Sequence, residues 1–366
     1  MFHKLQKFTL QTIAGANIAT SVLMVLIGYV GHLDPAHFPM LANAGLAFPL
    51  FIVINLAFLI FWVFVKFRYV VIPFLTFLVC YIPVRDYCPL NADEAPPRGA
   101  LKVLTFNVCD FNYEFAILPA AENPAVKYIY DSQADIVCLQ EATVPENAID
   151  SITAFLRPRY PYSSHDRQKA NGEIIIVYSR YPIASKEVIP YTTANEGNVS
   201  CAYNINIHGH CLLLVNNHFQ SNRINPTEKN NFRNMIDGKL TKDSARVSSS
   251  LLINKLAVAS RLRGPQVDAV ARYIAHNRDG KSVIVCGDFN ESPIAYSHTR
   301  LTEHLTDCFV ASGRGFGWSF RQNHINVRID NILCSDDSKP YRCTVDNSVK
   351  ISDHFPVFCW IKTPFI

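Results

Sequence analysis

The sequence predicts an α/β domain in which sheet packs on sheet with helices outside, carried by an all-α apolar anchor. Three observations point there. Charged residues make up 17% of the 366, below the roughly 25% usual in soluble domains, and the deficit is concentrated before residue 90. After Ala100 the chain breaks into short apolar runs rich in β-branched residues and separated by polar turns. A few helical stretches interleave with those runs, as layered α/β domains require.

The anchor comes first. Phe8 to Gly31 holds no Asp, Glu, Lys or Arg over 24 residues, and Pro39 to Val65 repeats this over 27. Each is long enough to cross a hydrocarbon layer of roughly 30 Å as a helix. Tyr69 to Val84 is a third apolar run of 16, interrupted by Pro73 and Pro83. A cleaved signal peptide does not fit, because no small-residue cleavage site and polar mature start follow the first run. Residues 1–85 therefore read as a membrane anchor of two or three transmembrane helices. Lys4 and Lys7 precede the first run, residues 32–38 carry no Lys or Arg, and Lys66 and Arg68 follow the second. That distribution puts the N-terminus inside. If the third run spans, the domain that follows lies outside the cytoplasm; if it only lies in the interface, the domain is cytoplasmic. The outside arrangement is preferred, giving an integral protein of the inner or plasma membrane with its domain on the non-cytoplasmic side.

Residues 86–99 (DYCPLNADEAPPRG) are polar, Pro-rich and aperiodic, and read as linker. The domain occupies 100–366. Its predicted strands are LKVLTFNV (101–108), ADIVCLQE (134–141), EIIIVYS (173–179), CAYNINI (201–207), CLLLVNNH (211–218), SVIVCGDFN (282–290), RIDNILCS (328–335) and HFPVFCWI (354–361). Ala120–Ser132 and Leu251–His276 read as helices, the second with an apolar side from Leu252, Leu256, Ala259, Val267, Val270 and Ile274, and with Pro265 breaking or restarting it.

The net charge of +4 is too small for a protein that coats nucleic acid by charge alone. One stretch is basic: residues 223–272 carry ten Lys or Arg against four acids. It fits a solvated loop and helix face better than an anionic-substrate surface. Eleven cysteines form no CxxC pair; Cys138, Cys211, Cys286, Cys334 and Cys359 sit in apolar strands and read as core.

Function is carried by where the polar residues fall. Asn107, Glu141, His218, the pair Asp288 and Asn290, and the pair Asp353 and His354 stand at strand ends or next to them. Strand ends can converge on one rim of a sheet, and carboxylates with amides and no thiolates suit a hard cation. TFNV, LQE, NNH, GDFN, RIDNIL and SDHFPV, in that order, resemble the motifs of the endonuclease/exonuclease/phosphatase family across about residues 100–363. The resemblance implies a four-layer α/β sandwich of the deoxyribonuclease I type and a Mg²⁺-dependent phosphoric ester hydrolase, with Mn²⁺ the alternative ion.

The same resemblance implies roles. Glu141 is the principal metal ligand and Asn107 helps hold the metal, with Asp353 assigned to the metal and to fixing the tautomer of His354. Asp288 prepares the attacking water, and Asn290 donates to phosphoryl oxygens. His354 contacts the scissile phosphate, His218 acts as general acid or phosphate contact, and Asp330 pairs with the catalytic imidazole. His208, His210, His298, His304 and His324 match no motif and read as ordinary. The substrate is a phosphoester: a lipid headgroup, a small molecule or nucleic acid. Tethering favours the lipid, whereas the basic stretch and Phe316, Trp318 and Phe320, as stacking surfaces, favour the nuclease alternative. A catalytically silent membrane scaffold would have lost motif residues, and none is missing. Three spans without buried charge offer a transporter no ion pathway. The bilayer is the expected partner, and no protein partner is predicted.

Overall fold

A computed structural model describes residues 2–112, 118–167, 174–191, 198–322 and 325–365. His324 and the first residue of the run 173–179 lie outside the described residues.

The strands are β1 (Leu101–Asn107), β2 (Ile136–Gln140), β3 (Tyr162–Arg167), β4 (Ile174–Ser179), β5 (Ile183–Val188), β6 (Val199–Ile207), β7 (His210–His218), β8 (Ser282–Asp288), β9 (Thr306–Asp307), β10 (Phe320–Gln322), β11 (Ile325–Val327), β12 (Asp330–Cys334), β13 (Lys339–Val345) and β14 (Val357–Lys362). They form two six-stranded sheets, ordered β13-β14-β1-β2-β4-β3 and β5-β6-β7-β8-β12-β9, with β10 and β11 as a separate ribbon. Each sheet contains one parallel pair, β1 with β2 and β7 with β8.

Alternation along β1 explains the layering. Leu101 and Val103 point into a core shared with Tyr203, Leu214, Ile284 and Ile332 of the other sheet. Leu104 and Phe106 point outward, against Val126 and Ile129 of the helix Pro124–Asp131 and Ile149 and Ile152 of Glu146–Leu156. The second sheet sends Leu213, Val215, Val283 and Val285 outward against Val267, Val270 and Ile274 of the helix Lys242–Asn277. The result is helix, sheet, sheet, helix: the four-layer sandwich expected from the motifs. The long helix runs through Pro265 without breaking.

Ahead of the sandwich stand the helices Phe2–Gly28 and Phe48–Val65, then Val71–Val79 and Tyr81–Tyr87. Two helices are long and apolar enough to cross a membrane, or three if the last pair, bent by 65°, counts as one. Their polar groups are satisfied internally. Asn17 and Asn55, both fully buried, bond to each other at 3.3 Å, and Trp62 Nε1 donates to Asn17 Oδ1 at 3.0 Å.

The segment after Tyr87 is pinned along the sandwich. Asn91 Nδ2 donates to Val310 O and Gly313 O, Asp93 takes a two-point bond from Arg342, and Glu94 pairs with Lys339. The bundle itself docks on the loop after β8: Ile294 packs with Met24, Phe48, Cys80 and Tyr87. A Cβ on Gly31 would stand 2.5 Å from Ile294 O and on top of Thr299 Oγ1. All eleven cysteines are free thiols; Cys211, expected in the core, is only half-buried at the start of β7.

Candidate active site

The topology explains why residues far apart in sequence meet. Parallel β1 and β2 end together, as do parallel β7 and β8, so Asn107, Glu141, His218 and Asp288 leave their sheets on the same rim. His218 and Asp288 are register partners. Antiparallel β12 begins at that rim with Asp330 opposite Asp288. β14 runs antiparallel to β1, so the residues just before it, including His354, arrive there too.

Asn107 Nδ2 lies 3.0 Å from Glu141 Oε1 and 3.1 Å from Asp288 Oδ2, bridging the two sheets. His218 Nε2 is 3.5 Å from Glu141 Oε1 and 3.8 Å from Asp288 Oδ2. His354 Nε2 is 3.8 Å from the same Asp288 oxygen, while its Nδ1 is 2.8 Å from Asp330 Oδ2. Asp288 Oδ1 accepts from Asn290 N at 2.8 Å, and Asn290 Nδ2 donates to Phe219 O. The GDFN turn requires its glycine: Gly287 has φ +132°, and a Cβ there would collide with the Asn217 backbone. Glu141 (φ 49°) and Asn290 (φ 55°) are held in the left-handed region, which non-glycine residues enter at a cost.

The electrostatics follow from crowding. Burial, and then the neighbouring Asp330, push the Asp288 carboxyl up to about 6. Burial opposes charge on His354, but Asp330 and Asp288 outweigh it and raise the imidazole to about 10, so it is an imidazolium at neutral pH. Burial also acts upward on Glu141, yet His218, His354 and the Asn107 amide hold it below the usual carboxylate range.

Seven of the eight expected residues thus meet at one rim. Asp353 does not take its expected place. Nδ1 of His354 is bonded by Asp330, whereas Asp353 lies beside Cys109 and acts on the imidazole through its charge. The acid bonded to the His354 ring is Asp330, as the RIDNIL motif implies, and Asp353 is in neither group of close donor atoms.

The motifs assign no role to several supporting residues, although Gln140, Asn216 and Arg328 stand within LQE, NNH and RIDNIL. Gln140 Nε2 donates to Asn216 Oδ1 at 2.7 Å and to Thr105 Oγ1 at 3.1 Å, a buried polar stitch between the sheets beneath the site. Ser319 Oγ accepts from the backbone N–H of Ile329 and Asp330, setting the start of β12. His298, read as ordinary, is buried against Asp307 at 2.7 Å, and the same carboxylate meets Arg328 at 3.4 Å. Phe320 stands edge-on to the His354 ring, 5.0 Å between centroids.

Among the described residues two groups bring three potential donor atoms within 4.8 Å of one another: Glu141, His218 and Asp288, and Asp288, Asp330 and His354. Three carboxylates share this space, and Asp330 Oδ1 is buried without a hydrogen-bond donor. An oxygen-rich, thiol-free set with an orphaned anionic oxygen fits a hard divalent cation.

The Endonuclease/Exonuclease/phosphatase family model matches residues 104–354, which include this whole rim. The chain belongs to that family. A second model, a domain of unknown function (DUF8431), matches residues 10–87. No curated protein matches the chain. Among solved structures, the human Nocturnin catalytic domain with bound sulfate aligns with TM-score 0.52 at 15% identity, covering 73% of this chain and 96% of that one. An endonuclease/exonuclease/phosphatase from Bacteroides vulgatus aligns at 0.51 and 16%, covering 73% and 100%. D. rerio TDP2 complexed with a single-strand DNA product aligns at 0.50 and 14%, covering 72% and 100%. At these identities the likeness shows the shared fold. Members of the endonuclease/exonuclease/phosphatase family are divalent-metal-dependent phosphoester hydrolases, and the rim of this member carries a donor set compatible with that chemistry.

Proposed function

We propose that this chain is a membrane-anchored, Mg²⁺-dependent phosphodiesterase that opens a phosphoester by in-line attack of water. The observation that carries the reading is the meeting of Glu141, Asp288, Asp330, His218 and His354 around one space, bridged by Asn107. In this reading Glu141 and Asn107 would hold the cation, which would neutralise charge on the phosphate. Asp288, its carboxyl raised by burial, orients water and accepts its proton. His354, kept cationic by Asp330, faces the phosphoryl oxygens through Nε2. His218 stands on the other side of Asp288 and donates to the leaving oxygen. Asn290, fixed by Phe219 O, adds an amide donor where charge builds.

The anchor is residues 1–85, a strap follows at 86–99, and the hydrolase occupies 100–366. Lys7, Lys66 and Arg68 gather at one end of the bundle, lining a cavity of 280 Å³ with Gln6, Gln11 and Tyr69. The loop 30–47 and the sandwich occupy the opposite end. Since basic residues stay inside, the sandwich lies on the non-cytoplasmic side, which the bent third helix makes feasible. A site mounted there favours a lipid-borne phosphoester. Phe316 and Trp318, stacked at 5.3 Å and partly exposed, support nucleic acid as the second reading.

The purified full chain in detergent is expected to hydrolyse bis-p-nitrophenyl phosphate with Mg²⁺ and to lose the activity in EDTA. Equal rates in both refute the metal role. Side-by-side rates on phospholipid vesicles and single-stranded DNA then separate the two substrate readings.

A further inference from the structure

The chain between His218 and the long helix's packed half is not needed to complete a sheet. It forms the helix Pro226–Ile236, opened by an Asn225–Glu228 capping box, and the free-standing first half of Lys242–Asn277. Lys255 pairs with Glu228 at 2.6 Å and holds the two together. The helix packs on the sheet from about Ala257 onward; earlier residues project past the catalytic rim.

This projecting hairpin is unusual in what it exposes. Val247, Leu251 and Val258 lie on one side of the helix at spacings of four and seven, each about 60% exposed. Ile236 and Ile253 are exposed as well, among the basic side chains Arg233, Lys242, Arg246 and Arg261. An apolar stripe bordered by cations is the composition of a helix lying in a bilayer interface.

Its position fits that environment. Asn43, in the loop between the first two bundle helices, donates to Leu256 O at 3.1 Å and Ser260 Oγ at 2.8 Å. Pro35 of the same loop stands 2.7 Å from the point where a Cβ on Gly264 would sit. The loop's own Phe38, Met40 and Leu41 are half exposed. The apolar surface of the hairpin is therefore continuous with the segment that caps the two longest apolar helices. At this same base the hairpin reaches the site: Lys229 bonds Gln322 and lies 5.7 Å over the Phe320 ring.

We propose that residues 226–258 form a membrane-docking element, with Ile236, Val247, Leu251 and Val258 entering the interface of an anionic bilayer and Arg233, Lys242 and Arg246 meeting its headgroups. The element holds the catalytic mouth at headgroup level and makes a phosphoester carried in that bilayer the substrate class. The inference rests on the anchored reading above.

The test uses the full chain in nanodiscs of phosphatidylglycerol and phosphatidylcholine, with a photo-crosslinking residue (p-benzoylphenylalanine) replacing Leu251 or, in a second chain, Val247. The control position is Asp279, beyond the far end of the 36-residue helix, about 54 Å from its start. Phospholipid adducts at 251 and 247, absent at 279, are expected. Lys242→Glu with Arg246→Glu should cut the adduct yield at least about fivefold, as loss of two interfacial cations predicts. An adduct to a second copy of the chain, equal labelling at 279, or no adduct at 251 and 247 would each overturn the proposal. Hydrolysis of bis-p-nitrophenyl phosphate is measured in parallel and should be unchanged. A failed hydrolase reading appears in that assay alone, and a failed docking reading in the adducts alone.

Discussion

Asp307→Asn probes the ion-pair cluster that fixes the start of β12. Asp307 is buried, bonds His298 at 2.7 Å, meets Arg328 at 3.4 Å and caps the helix Cys308–Ser312 through the N–H groups of Phe309 and Val310. Burial acts against its charge, but Arg328 and His298 prevail and lower the carboxyl from 3.8 to about 2. That shift corresponds to about 2 kcal/mol of stability at neutral pH. Asparagine keeps the size and the cap but leaves Arg328 buried opposite a neutral group, which raises the cost toward about 3 kcal/mol. For a domain of this size the expectation is a Tm lower by roughly 6–10 °C near pH 7. The sign with pH is fixed: a depressed carboxyl stabilises above its unfolded pKa and stops doing so as pH falls through the folded one. The gap between the two chains should therefore be constant from about pH 5 to 7 and close between about pH 4 and 2. Scanning fluorimetry of both full chains in the same detergent reads it, and other carboxylates, common to both, cancel. A gap under about 2 °C near pH 7, or one that persists undiminished in acid, refutes the reasoning.

Glu141→Gln should lower kcat on bis-p-nitrophenyl phosphate by roughly 10²–10⁴ and abolish calorimetric Mg²⁺ binding while lowering Tm slightly, since, against burial, His218, His354 and the Asn107 amide hold its carboxyl below the usual range and so make its charge stabilising at neutral pH. Asp330→Asn should cost about 10²–10⁴ in kcat with little change in KM, because it strips His354 of the acid that keeps it charged and oriented; an equal rise in KM would contradict an orienting role. Gly31→Val places side-chain atoms on Thr299 and Ile294 O, and is expected to undock the bundle and expose residues 88–100 to protease in nanodiscs. Unaltered cleavage would mean that the two parts are not held there.

Continuous apolar runs and strongly periodic helices are legible, and short or polar edge strands are not. β1, β2, β4, β7, β8 and β12 read directly as apolar runs because central strands of a sandwich are covered on both sides, and β6 and β14, partly open on one face, read from their β-branched and aromatic residues. β3 (YSSHDR) and β5 (IASKEV) were missed because they are edge strands; β5 leaves nearly every side chain exposed. The helix Glu146–Leu156 did carry a signal, Ile149, Ile152 and Leu156 at helical spacing, and Asn225–Glu228 a capping box. Pro265 was overweighted, since packing on sheet and loop holds the helix straight through it. At the site, strand-end polar residues announced themselves, but the choice between Asp330 and Asp353 depends on which way a side chain turns, which adjacency in sequence does not encode. Gln140 and Asn216, within LQE and NNH, and Ser319, in a loop, act beneath the reacting groups, and nothing in their sequence position announces that role.

The mounting of the sandwich on the bundle bears on mechanism. The contact surface begins one residue after Asn290: Glu291 is buried against Arg263 at 2.6 Å and accepts from Ser260 Oγ, which also takes Asn43 of the bundle loop. Arg263, itself fully buried, donates to Gln220 O and Asn222 Oδ1, and Asn222 Nδ2 returns to Asn290 O. The loops after His218 and after Asp288 are thereby tied to one guanidinium and, through Ser260, to the anchor. A buried ion pair of this kind contributes little net stability, but losing one partner strands the other. Its effect is geometric: the two loops that carry His218, Asp288 and Asn290 cannot shift independently of the bundle. An anchor used only as a tether would be joined by a slack linker and would leave the mouth free to face solution. Here the bundle is joined to the catalytic rim through Asn43, Ser260, Glu291 and Arg263, so the mouth keeps one fixed attitude to the bundle.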